Sequence, residues 1–154
     1  MKNRNLDLWD KYSKCDKQTV VVVAVLILSA KLCMADGHFS QVEEDEILKI
    51  IPHESYQRKT LLDILNEGAN DKNPIKEDAR RLKKILGSQN TTFFEFIVAV
   101  LYRLAEVDHV MSEEEIRDIN VVAIEFGVIN KPIFSFAQIK NLLQFNKNKN
   151  DISL

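Results

Sequence analysis

Little in this sequence would interrupt or cross-link a helical chain. Its 154 residues include only four glycines and three prolines, so turn formers are scarce and long helices are permitted. Cysteine is scarce as well. Cys15 and Cys33 show no Cys-x-x-Cys spacing, and a chain of this length buries roughly 70% of its unfolded surface without a covalent staple. Reduced thiols in a cytoplasmic protein are the expectation. Positive charge is not in excess: 21 Lys and Arg stand against 23 Asp and Glu, for a net charge of -2. The acids gather at Glu43 to Glu46 and Glu113 to Glu115, and no basic field exists to displace counterions, so a nucleic-acid partner is not expected.

The long apolar run also falls short. From Val20 to Ala30 it is about half of the ~20 residues a spanning helix needs, and Lys31 ends it. A signal peptide would need a basic leader and a small-x-small cleavage site, whereas Asp7, Asp10 and Asp16 precede the run. A buried core helix is the expectation. Catalytic signatures are missing: there is no glycine-rich phosphate loop, His-Glu-x-x-His or nucleophile elbow. No enzyme and no catalytic residue are expected. His38, His109 and Cys33 fit no common zinc spacing.

What is present is helical periodicity. The β-branched start at Val20 to Val23 continues without alternation into Ala24 to Ala35, which predicts one helix over about 19–35. A second runs from Gln41 and must stop near Pro52, since proline disfavours a helical predecessor. Leu61, Leu62 and Leu65 mark a third. Gly68, Asn70, Asp71 and Asn73 predict a long loop over 66–74. Further helices are expected from Ile75 to a stop at Gly87, over 93–107, over 113–126 and over 134–145. These add up to an all-α, single compact bundle of about seven or eight helices. The organisation is a helical lead-in over 1–18, a domain over 19–145 and a flexible Lys- and Asn-rich tail over 146–154.

Laying Asp36 over Asp108 shows an internal pseudo-repeat without a gap. Ala24, Leu28, Leu32 and Ala35 overlay Phe96, Val100, Leu104 and Val107, so each first helix should present one apolar stripe. Ser40 and Glu43 overlay Ser112 and Glu115, which spells a capping box twice. Ile47 and Ile51 overlay Ile119 and Ala123. Met111 and Ile116 can staple the second copy, whereas Glu44 takes the place of Ile116 in the first.

Each unit therefore pairs an Asp at the exit of one helix with a Glu seven residues later, Asp36 with Glu43 and Asp108 with Glu115. The glutamates suit the positive end of a helix dipole. The aspartates face its negative end, at a cost of about 0.3 to 1 kcal/mol. Two explanations stand open: each Asp accepts N–H groups of its own turn, or the four carboxylates bind a divalent cation, Ca²⁺ or Mg²⁺, or a basic partner. Glu46 and Asp118 would extend the two acidic faces. A standard EF-hand is excluded, because His38, Ser40, Val42 and Ile47 occupy ligand positions.

The residues Ala35-Asp36-Gly37 with Ser40 and Glu43, then Leu101 to Ala105 before Asp108 with Ser112 to Glu115, resemble the doubled motif of the TerB-like family. Phe126-Gly127-Val128 is similar to its closing segment. His109 and Val107 depart from the Gly and Ala usual in the second copy. The resemblance covers roughly residues 19–130. It implies an all-helical fold with an internal repeat and an acidic, metal-binding surface bearing Asp36, Glu43, Asp108 and Glu115. It further implies a tellurite- or oxidative-stress-response role, with protein partners in cytoplasmic or membrane-associated assemblies, as for the related N-terminal domain of a membrane-associated J-domain co-chaperone.

Overall fold

In a computed structural model the described residues are 8–36, 39–106 and 112–128, with 138, 141 and 143. They form six α-helices and three short 3-10 turns, with no strand among them. The all-α class is as expected; the count among the described residues is six helices instead of seven or eight. In the lead-in, the described residues form a 3-10 turn over Leu8–Lys11 and then the start of the first α-helix at Lys17. The helix expected over 134–145 lies outside the described residues, apart from helical positions at Gln138, Asn141 and a fully buried Leu143.

Helix α1 (Lys17–Cys33) starts at Asp16, whose carboxylate accepts the Thr19 N–H at 2.8 Å. The expectation of one apolar stripe does not hold here, because Val20 to Ala30 are buried on every side of the helix. A helix that is apolar all round belongs at the centre of a bundle, and α1 indeed touches α2 (Gln41–Ile50), α3 (Arg58–Asn70), α4 (Ile75–Leu86), α5 (Thr91–Glu106) and α6 (Glu113–Phe126). No helix among the described residues is long and apolar enough to cross a membrane.

The loop expected over 66–74 is a correction, since α3 continues through Asn70. Gly68 is not a turn residue. A Cβ there would lie 3.0 Å from Ile27 Cα and 3.1 Å from Ile27 O, so its lack of a side chain lets α3 approach the backbone of α1. The stop expected at Gly87 is present, and Gly87 and Gly127 end α4 and α6 at positive φ of 86° and 77°. Phe94 and Phe126, with ring centroids 4.6 Å apart, join α5 to α6.

Lys31, which ends the apolar run in the sequence, is itself 92% buried at the centre of an ionic cluster (8% exposed). Its ammonium donates to Asp71 at 2.6 Å, to the Asn73 carbonyl at 2.7 Å and to Asp78 at 2.5 Å, which accounts for all three of its protons. Asp78 also accepts the Trp9 indole N–H at 2.9 Å. Burial pushes the Asp78 carboxyl upward, against the opposing pull of Lys31 and Trp9. The lead-in is anchored a second time by Tyr12, buried and bonded to Glu67 at 2.7 Å.

Candidate functional site

The two capping boxes form as their sequences require, with nearly the same geometry. Ser40 N–H donates to Glu43 Oε1 at 2.9 Å while Ser40 Oγ accepts the Glu43 N–H at 3.1 Å. In the second copy Ser112 N–H donates to Glu115 Oε1 at 2.9 Å and Ser112 Oγ accepts the Glu115 N–H at 3.1 Å. Helices α2 and α6 thus begin at equivalent points, and each glutamate is oriented by a bond from its own cap.

The fold brings these two glutamates to one place. A cavity of about 20 Å³, room for roughly one water-sized occupant, lies where α1, α2, α5 and α6 meet. Glu43 and Glu46 line it from α2, Glu115 from α6, and Ser29 and Cys33 from α1. Leu32, Ile47, Leu104 and Ala105 complete an apolar wall. Glu115 is 3% exposed. Among the described residues no lysine, arginine or histidine lines the cavity; Lys49 pairs with the lining Glu46 from the same helix.

No family model, curated protein or solved structure matches this chain. The geometry of the site therefore carries what can be said of its chemistry.

Ser29 is the residue that sequence reasoning missed. It is 1% exposed, and its hydroxyl makes no hydrogen bond. A helical serine ordinarily returns its proton to a carbonyl one turn back, and a buried hydroxyl without a partner costs about 1 to 3 kcal/mol. The signal was present, because Ser29 is the one polar residue between Val20 and Ala30, and its counterpart in the repeat is Leu101.

The remaining expected site residues do not all gather here. Asp108 lies outside the described residues, as does the side chain of Asp36, whose backbone ends the 3-10 turn Met34–Asp36. Asp36 thus stands beyond the last α-helical residue, Cys33. Glu46 and Asp118, equivalent in the repeat, part company. Glu46 faces the cavity and pairs with Lys49 at 3.1 Å. Asp118 lines a separate groove with Lys31, Asp71 and Lys76. Glu46 thus joins Glu43 at the cavity, whereas Asp118 lines the other groove and not the cavity that Glu115 lines. Burial raises the Asp118 carboxyl, with Arg117 lowering it and Glu114 raising it further. Met111, the expected staple partner, also falls outside the described residues, and Ile116 is 41% exposed. Among the described residues no three His, Cys, Asp or Glu side chains stand close enough, as placed, to ligate a metal ion together.

Proposed function

We propose that this chain is a non-enzymatic, TerB-like binding module of the stress-response type, which takes a divalent cation in the acidic cavity between its two capped turns. The observation that supports the reading is that Glu43 and Glu115, 72 residues apart (115 − 43), line one cavity with no lysine, arginine or histidine among its described lining residues. A hard cation seeks carboxylate oxygen. Each glutamate gives one oxygen to its cap, and the Glu43 carboxylate has a second. Asp36 and Asp108 belong to the same two turns and complete the donor set in this reading.

Thermal unfolding with and without added Ca²⁺ or Mg²⁺ tests it. A ligand at 100 times its dissociation constant stabilises by about 2.7 kcal/mol, a shift of several degrees for a chain of this size. The shift is expected to vanish in Asp36→Asn and Glu43→Gln, the latter retaining the cap. No shift with either ion refutes the cation reading.

A second reading rests on the capping bonds themselves. Both glutamates already have a structural task, and three metal ligands do not converge among the described residues. On this reading the chain is a metal-independent protein-interaction domain, similar to a co-chaperone accessory or scaffold domain. Its binding to protein partners, including those of a membrane-associated assembly, would survive chelation and the same carboxamide substitutions.

A further inference from the structure

We infer that residues 8–15 are a releasable strap, which undocks from α3 and α4 as a unit while the six α-helices stay folded. The inference is independent of the cation reading, since no residue of this stretch lines the acidic cavity.

The strap meets the bundle through side chains. Among the described residues its backbone hydrogen bonds beyond the 3-10 turn are local, from Tyr12 N–H to the Trp9 carbonyl and from Cys15 N–H to the Tyr12 carbonyl, each at 3.0 Å. On α4, Asp78 accepts the Trp9 indole N–H at 2.9 Å and Arg81 donates to Asp10 at 2.7 Å. On α3, Glu67 accepts the Tyr12 hydroxyl at 2.7 Å and pairs with Lys11. Both ion pairs join partly exposed side chains, where water and salt weaken them. The 3-10 turn packs chiefly against α4, so the strap is not one of the five helices that enclose α1.

Trp9 and Tyr12 are buried, and their rings meet edge-on with centroids 6.4 Å apart. Part of what covers each ring is therefore the other, inside the strap. Fixing the backbone of every residue costs conformational entropy. Over a stretch of this length that cost is of the same order as the gain from burying two aromatic side chains. The bonds to Asp78 and Glu67 then decide whether the strap is docked.

A hinge is built in. Asp16 has an extended backbone and caps α1 by accepting the Thr19 N–H. Both partners of that bond lie outside the strap, so the chain can swing at Cys15 without uncapping α1. Undocking opens a hydrophobic slot beside α3 and α4 with an acceptor at each end, Asp78 for an indole N–H and Glu67 for a phenol O–H. The strap gates that slot.

The test is urea unfolding of the full chain, followed in parallel by tryptophan fluorescence and far-UV circular dichroism. Trp9 is the only tryptophan, so fluorescence reads the strap and dichroism reads the helices. Fluorescence is expected to shift to the red at a midpoint at least about 1 M lower, with a slope under about half that of the dichroism transition, because little surface is exposed in the first step. Tyr12→Phe removes the bond to Glu67 and keeps the ring. It should move the docked-to-open ratio about tenfold toward open, lowering the fluorescence midpoint and leaving the dichroism midpoint in place. Trp9→Ala, read by dichroism alone, should also keep the wild-type midpoint, because the helices unfold from a state in which the strap is already free.

Coincident fluorescence and dichroism transitions in wild type overturn the inference. So does an equal fall of both midpoints in Tyr12→Phe. A Trp9→Ala protein whose helices unfold at clearly lower urea, or which does not fold, overturns it as well, since that is the behaviour of a large-to-small change in an integral core.

Discussion

Replacing Gly68 by alanine sets two physical effects against each other. Gly68 lies inside α3, where alanine is the better helix former by about 1 kcal/mol. Propensity alone therefore predicts a stabilised protein. Against this, the new methyl would sit 3.0 Å from Ile27 Cα, 3.1 Å from Ile27 O and 3.3 Å from Ala30 Cβ. Two of those atoms are backbone, and they belong to α1, which is enclosed by other helices and has nowhere to retreat. Overpacking of a tight core costs about 1 to 3 kcal/mol, and a contact with fixed backbone belongs at the upper end of that range. The expected net loss is about 2 kcal/mol, or roughly 4 to 8 °C in melting temperature for a domain of this size. Urea unfolding followed by far-UV circular dichroism measures it, with Gly68→Ser expected to lose more. A Gly68→Ala protein that melts at or above the wild-type temperature would show that α1 and α3 are not in closest contact at this residue.

Two further substitutions probe the buried charges. Asp78→Ala leaves the Lys31 ammonium, 8% exposed, without one of its three acceptors, and should destabilise by about 3 kcal/mol. The double variant Lys31→Met with Asp78→Asn removes the buried charge pair while keeping an acceptor for the Trp9 N–H, so it should lose less than Asp78→Ala alone; a greater loss refutes the account. Asp118 supplies a pH dependence. Its carboxyl is raised by burial in the folded chain, so ionisation opposes folding. That contribution is intact below the unfolded value of about 4 and is lost as pH rises through the raised folded value. Urea midpoints measured upward from pH 4 should therefore fall for wild type relative to Asp118→Asn and then run parallel; a wild type that gains on the variant over that window contradicts the assignment.

Local chemistry was legible wherever it acts over a few residues. Ser-x-x-Glu gave both capping boxes, Gly87 marked a helix end, and α6 was bounded as the sequence implied. Gly68 misled because a glycine needed for close helix approach and one needed for a turn have the same formula, and only the partner helix distinguishes them. Lys31 misled in a similar way. In the sequence it interrupts an apolar run, but its partners Asp71 and Asp78 are 40 and 47 residues away. The acidic turns were visible as a pair through the repeat. That Glu43 and Glu115 share a wall depends on how α2 and α6 are set around α1, which periodicity does not encode. The same holds for Ser29, whose isolation among apolar residues was readable but whose opening onto the cavity was not.

Helix α1 acts as an axle for five neighbours, and this has a consequence for how the molecule comes apart. Peeling away any one neighbour would wet a side of α1 that is mostly apolar, since Ser29 is the one polar residue between Val20 and Ala30. Partial opening is therefore nearly as unfavourable as complete unfolding, and amide protons in the middle of α1 should exchange only when the whole bundle opens. Nor can the first repeat unit survive excision, since without its twin the axle would be left half bare and prone to self-association.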